Sequence, residues 1–173
     1  ISRKQIRRQA RIVKVPYTNF KTLIDGEWKE SDTVDIFADK KIIVFSVPGA
    51  YLPNTAQQVQ EYDQRYEGFK EAGIDEVYCI SVNDSAVMNA WFESIKVKNV
   101  KPLGDGDGIF TQGTGMLVNK PKQGLGLRSW RYSMLVDNGE IIKQFVEDGQ
   151  NNSSDDDDPF EVSDANTILD FAS

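Results

Sequence analysis

The chain is 173 residues long and 39% hydrophobic, with a net charge of -7, one cysteine and no histidine. That apolar content suffices for one core without disulfides or metals. The missing histidine and second cysteine exclude Ser-His and Cys-His nucleophile pairs, multi-cysteine metal sites and an internal disulfide. No run is long enough to span a membrane as a helix, and no apolar stretch follows the N-terminal charges as in a signal peptide. A soluble chain in a reducing compartment, such as the cytoplasm or an organelle interior, is expected. A start at Ile1 rather than Met raises the expectation that native residues before it were trimmed, processed or left out.

Residues 1 to 14 carry Arg3, Lys4, Arg7, Arg8, Arg11 and Lys14 and no acid, so the arm is +6 and the rest of the chain -13. The acidic body disfavours nucleic acid. The arm reads as a solvated or self-docking tail, or as a contact for an acidic partner or an anionic surface. We therefore divide the chain into a basic arm, 1-14, and one domain, 15-173.

Along that domain, FKTLIDGEWKE (20 to 30) places Asp25-Gly26 between two alternating runs, a hairpin signal. The continuous apolar run Ile42 to Val47 predicts a strand buried on both faces. VPGAYLPNTAQQVQEYDQRYEGF (47 to 69) then turns into a helix with Val59, Tyr62, Tyr66 and Phe69 on one side and Gly73 as its stop. VYCISV (77 to 82) predicts a second strand, parallel to the first, and Asn83-Asp84 or Ser85 caps a helix carrying Val87, Met88, Trp91 and Ile95. Residues 101 to 128 read mostly as glycine-rich loop with one helical turn around Phe110. RYSMLV, Asp137-Asn138-Gly139 and EIIKQFV form the clearest hairpin. Residues 148 to 158 read as a solvated loop, and Ser163 as the cap of a C-terminal helix. This order predicts an α/β thioredoxin-like fold with an extra N-terminal hairpin.

The blocks KKIIVFSVPGAYLP, VYCISVNDSAVMNAW, LGDGDGIFT, LGLRSWRYSMLVDNGEI and DPFEVSDANTIL, in that order, resemble the type-5 peroxiredoxins, especially their bacterial branch. The resemblance spans roughly residues 12 to 171. It implies a hydroperoxide reductase whose cysteine sits in the first helical turn after the first core strand, in a Pro-x-x-x-Thr-x-x-Cys motif completed by an arginine. On this chain the proline is Pro48, the threonine falls on Leu52, the cysteine falls on Thr55 and the arginine is Arg131. A threonine hydroxyl stays protonated where a helix N-terminus and a guanidinium would favour a thiolate, and it lacks an oxidisable sulfur. No resolving cysteine is present.

The resemblance therefore implies a peroxiredoxin-like protein without its peroxidatic cysteine, serving as a catalytically inactive binding or structural subunit. The alternative is a thiol-dependent peroxidase that acts through Cys79 or whose nucleophile has been replaced. Cys79, mid-strand, reads as a buried structural residue. Thr55 and Gln58 have capping-box spacing, T-x-x-Q; if Thr55 lies inside the first turn instead, Asn54 is the cap. A surviving anion site would use the helix N-H groups with Arg131, although Leu52 makes the pocket drier. Without the resemblance, Arg131 would point to solvent or to Glu140. Tyr51, Leu52 and Pro53 suit a homodimer interface or a contact in a larger assembly. GDGDG at 104 to 108 reads as a turn, GTG and GLG at 113 to 126 lack the context of a dinucleotide loop, and the run Asp155 to Asp158 reads as solvated. No cofactor or metal is expected.

Overall fold

The computed structural model describes residues 13–152 and 158–173. Most of the basic arm and of the acidic run therefore lie outside the described residues. Strands β1 (Asn19–Ile24) and β2 (Glu27–Asp32) pair antiparallel around Asp25-Gly26, as predicted. Helix α1 (Thr33–Phe37) follows directly, and Asp32 and Asp35 close a capping box at its start.

The main sheet has five strands. At its centre β3 (Lys41–Ser46) runs parallel to β4 (Glu76–Ser81), itself parallel to β5 (Lys101–Gly104). On the other side, β8 (Tyr132–Asp137) runs antiparallel to β3 and forms a hairpin with β9 (Glu140–Val146), bulged at Leu135/Val136. Alternation along β3 explains its apolar run. Ile43 and Phe45 belong to one core with Tyr62, Trp91 and Ile168, while Ile42 and Val44 belong to another with Phe20, Phe37 and Phe110. A strand covered on both faces has no polar face to alternate with. Phe45 and Tyr62 stack with centroids 3.8 Å apart, tying sheet to helix.

The predicted long helix is two helices, α2 (Thr55–Gln64) and α3 (Tyr66–Glu71), because Arg65 at φ -99, ψ 10 interrupts the helical geometry. Helix α4 (Ser85–Ser94) is capped by Asp84, which accepts from Val87 N at 2.9 Å. The glycine-rich segment corrects the expectation of loop. Besides β5 and the short α5 (Ile109–Gly113), it contains β6 (Leu117–Lys120) and β7 (Gly126–Ser129), paired antiparallel. Glycines at the turns masked two four-residue strands. Helix α6 (Ala165–Ala172) is capped by Asp164, which accepts from Thr167 N, and not by Ser163 as predicted.

Lys14 forms an isolated bridge with Glu140, and Ile141 N donates to Val13 O at 2.7 Å, so the described chain begins against the β8-β9 turn. No described helix is long and apolar enough to cross a membrane.

Candidate active site and its pocket

Ser46, the last residue of β3, pins the site together. Its Oγ donates to Trp130 O at 2.7 Å and accepts from Tyr132 N at 3.0 Å. Because β3 and β8 are antiparallel, this bond sets the turn after β3 beside Arg131, just ahead of β8. The turn is anchored on its other flank by Asn83, whose Oδ1 accepts from Ala50 N at 3.0 Å and from Ser81 Oγ at 2.7 Å. Tyr51 and Asn54 both sit at φ 65, left-handed conformations that turn the chain sharply into α2.

Thr55 is the first residue of α2, with Asn54 as N-cap. The capping-box expectation is overturned, and Asn54 caps by position alone: its left-handed backbone replaces the usual extended one, and its side chain makes no cap hydrogen bond. The Thr55 hydroxyl donates to Leu52 O at 2.7 Å, and Thr55 N reaches the same carbonyl at 3.4 Å. Thr55 has no exposed surface.

Gln58, displaced from the capping role, faces inward. Its Oε1 accepts from Arg131 Nη1, and its Nε2 donates to Ser163 O at 3.4 Å. Arg131 is only 2% exposed, so it points neither to solvent nor to Glu140. Its Nε and Nη2 grip the two carboxylate oxygens of Asp158 at 3.0 and 2.6 Å, a bidentate pair suited to a guanidinium. The Phe160 ring lies 5.5 Å from the guanidinium carbon.

The segment bearing Asp158 and Phe160 is held in place by Glu147. This buried carboxylate accepts from Glu161 N at 2.6 Å, Val162 N at 3.0 Å, Ser163 N at 2.9 Å and Ser163 Oγ at 2.8 Å. Ser163 is therefore a contact to β9's end and not a helix cap, and its carbonyl also accepts from Tyr62 Oη at 2.7 Å. Described residues of 148 to 158 are likewise tied down, contrary to a fully solvated loop: Gln150 Nε2 donates to Gly115 O at 2.8 Å, and Asn152 Oδ1 accepts from Asn119 N at 2.9 Å.

A cavity of about 490 Å³ opens beside this cluster, lined by Pro48, Leu52, Pro53, Trp130, Arg131 and Asp158, together with Lys120, Leu125 and Arg128. Thr55 does not line it. Arg128 Nε donates to Leu125 O at 3.1 Å and its Nη1 to Val82 O at 3.4 Å. Burial pulls its pKa down from the ordinary value, though a guanidinium stays charged in any protein setting. Gly49 makes room for it: a Cβ there would lie 2.8 Å from Arg128 Nη1 and 2.9 Å from Leu52 Cδ1. Lys120, 8% exposed, sends Nζ to Asn151 Oδ1 at 3.0 Å and lies 5.2 Å from the Trp130 ring centre.

Cys79 is fully buried in β4, and burial pushes its thiol pKa well up, with a smaller opposing pull from Arg131. Asp105 in GDGDG is a turn residue: it accepts from Phe110 N, Thr111 N and Thr111 Oγ1 at 3.2, 2.8 and 2.6 Å. Among the described residues, no group of three or more His, Cys, Asp or Glu side chains could hold a metal ion. Of the residues named from sequence, Pro48, Leu52 and Arg131 line one cavity, while Thr55 lies off its wall and is bonded to Leu52 O; sequence reading missed Asp158 as the partner of Arg131, and Lys120 and Arg128 in the cavity wall. The nearness of Asp158 to Phe160 within the quoted DPFEVS block was the available signal for the first.

A mixed sheet with a parallel centre, an antiparallel hairpin and helices on both faces defines a thioredoxin-like α/β protein, with its site at the end of the central strand. The Redoxin family model matches residues 13–169. The hybrid peroxiredoxin hyPrx5 of Haemophilus influenzae is 44% identical over 159 residues, covering 91% of this chain, and this chain spans only 64% of that relative's length. The structure of reduced Prx3 from Vibrio vulnificus in complex with H2O2 superposes with a TM-score of 0.85 at 32% identity, over 95% of this chain and 99% of that one. Peroxiredoxin 5 from Alvinella pompejana gives 0.72 at 31% identity, over 82% and 91%. The chain belongs to the redoxin family, as a peroxiredoxin of the type-5 kind.

Proposed function

We propose that this peroxiredoxin has lost its peroxidase centre and acts as a binding or structural subunit. One observation carries the reading. The side chain at the head of α2 is a buried threonine whose hydroxyl is bonded to Leu52 O, while the neighbouring guanidinium of Arg131 is claimed by Asp158 and Gln58. In a peroxidase of this family that corner needs a thiolate and an arginine free to meet the reacting oxygens. Here the alcohol has no sulfur to oxidise, and the cation is paired with a carboxylate of its own chain.

The competing reading, a peroxidase working through Cys79, requires a thiolate in a strand with no exposed surface, where burial disfavours the anion. Tyr51, 59% exposed beside Pro53, supplies an apolar patch for a second copy or a larger assembly. The basic arm, 1-14, is a second candidate contact on a domain spanning 15-173, and all of it but Val13 and Lys14 lies outside the described residues. The test is hydroperoxide consumption with a thiol donor, for the native chain and for Cys79→Ser. Negligible turnover by both is expected. A rate like that of active relatives, unchanged in the Cys79→Ser variant, overturns the reading.

A further inference from the structure

The cavity next to Leu52 is walled by cations that the acids among the described residues leave unbalanced. Among the described residues its single acidic lining residue, Asp158, is committed to Arg131. Lys120 and Arg128 meet only neutral acceptors: Asn151 Oδ1 for the first, the carbonyls of Leu125 and Val82 for the second. Among the described residues, neither lies within ion-pair distance of a carboxylate.

Two buried or half-buried charges without counter-ions are costly. Arg128 is nevertheless held firmly in place, because the bare α-carbon of Gly49 lets its guanidinium lie against the turn next to Leu52. Between the cations the wall is apolar, formed by Pro48, Leu52, Leu125 and Trp130. A volume of about 490 Å³ lies within the usual range of small-molecule pockets. Leucine at 52 makes that space suit hydrocarbon better than water or peroxide.

We propose that this cavity binds a small organic monocarboxylate with an apolar body, its carboxylate held by Arg128 and Lys120 and its body against Leu52, Leu125 and Trp130. The inference rests on the reading that the site is a binding site and not a peroxidase centre, and it assigns the ligand class. Arg131 takes no part, being neutralised from within. Arg128 is the specificity-determining residue, since a planar guanidinium can take both carboxylate oxygens at once.

The experiment is calorimetric titration of the full chain with octanoate and with octanamide, its uncharged counterpart of about the same size. Saturable octanoate binding is expected, at least about tenfold tighter than octanamide. The Arg128→Gln variant, shown to be folded by its circular dichroism and melting curve, is expected to bind octanoate about tenfold or more weakly and octanamide unchanged. Equal binding of acid and amide, or no saturable octanoate binding, overturns the proposal without recourse to any variant. Failure here leaves the loss of peroxidase chemistry untouched, because that is read separately by peroxide consumption.

Discussion

Arg131 and Asp158 form a bidentate ion pair, with Nε–Oδ1 at 3.0 Å and Nη2–Oδ2 at 2.6 Å, at the mouth of the site. The arginine is buried and the aspartate side chain is 44% exposed, so the pair is half in water. Removing the carboxylate with Asp158→Asn leaves the guanidinium with Gln58 as its remaining named side-chain partner. The expected cost is about 1–3 kcal/mol, solvent softening what a fully buried pair would lose. Urea unfolding of the two proteins measures it, and a difference below about 0.5 kcal/mol means that the pair does not hold this corner.

Placing sulfur at position 55 alone should not confer turnover. In Thr55→Cys the new thiol lies off the cavity wall, Leu52 remains hydrophobic and Arg131 stays bound to Asp158. Misplacement of this kind costs about a hundredfold or more in rate. Peroxide consumption by this variant near that of an active relative contradicts the geometry argued above.

Glu147 anchors the segment that carries Asp158. Glu147→Gln replaces a carboxylate that accepts from three backbone N-H groups and a hydroxyl, and an amide nitrogen cannot accept at all. A loss of about 2–4 kcal/mol is expected, together with faster proteolysis beyond residue 147. A variant as stable and as protease-resistant as the native chain removes Glu147 from this role.

Asp105 gives a pH signature. Burial raises its carboxyl pKa above the ordinary aspartate value, outweighing the hydrogen bonds from Thr111 and Phe110 that pull the other way. The folded state then holds its proton at a pH where the unfolded chain has released it. This contribution is fully present below the unfolded value and fades as pH rises from there through the folded pKa. Stability of the native chain relative to Asp105→Asn should therefore fall across that window and be flat outside it. A difference that rises with pH has the wrong sign for this environment.

Cys79 should resist thiol reagents in the folded state. Its side chain is buried and its pKa is pushed up, so modification has to wait for opening of the sheet. Labelling followed by mass spectrometry should be slow without denaturant and accelerate steeply toward the urea midpoint. Rapid modification of the native protein would instead mean an accessible thiol.

The strands and helices around the site were legible because their signals are local. Ile42 to Val47 reads as a doubly covered strand, and Asn138-Gly139 as a tight turn. The short β6 and β7 were not legible, since four-residue strands bounded by glycines lack enough periodicity to stand out. At the site, the residues at 48, 52, 55 and 131 were found through family likeness, while their partners were not. The Arg131–Asp158 pair joins positions 27 apart, and the approach of Arg128 to Gly49 joins β7 to the turn after β3. Neither leaves a periodic trace, because such contacts arise only once the sheet has folded. The caps show the same limit at short range: Thr55 and Ser163 have the right chemistry for an N-cap, but the backbone placed Asn54 and Asp164 there.

The bridge between Lys14 and Glu140 has a practical corollary. It fastens the start of the described chain to the far end of the β8-β9 hairpin, whereas Arg131 precedes the near end of β8. Along a strand those two points stand roughly 20 Å apart. A fluorophore attached at Val13 can thus test the proposed recruitment of the arm from about one strand length away from Arg131, so that it and the proposed ligand binding can be dissected in a single molecule.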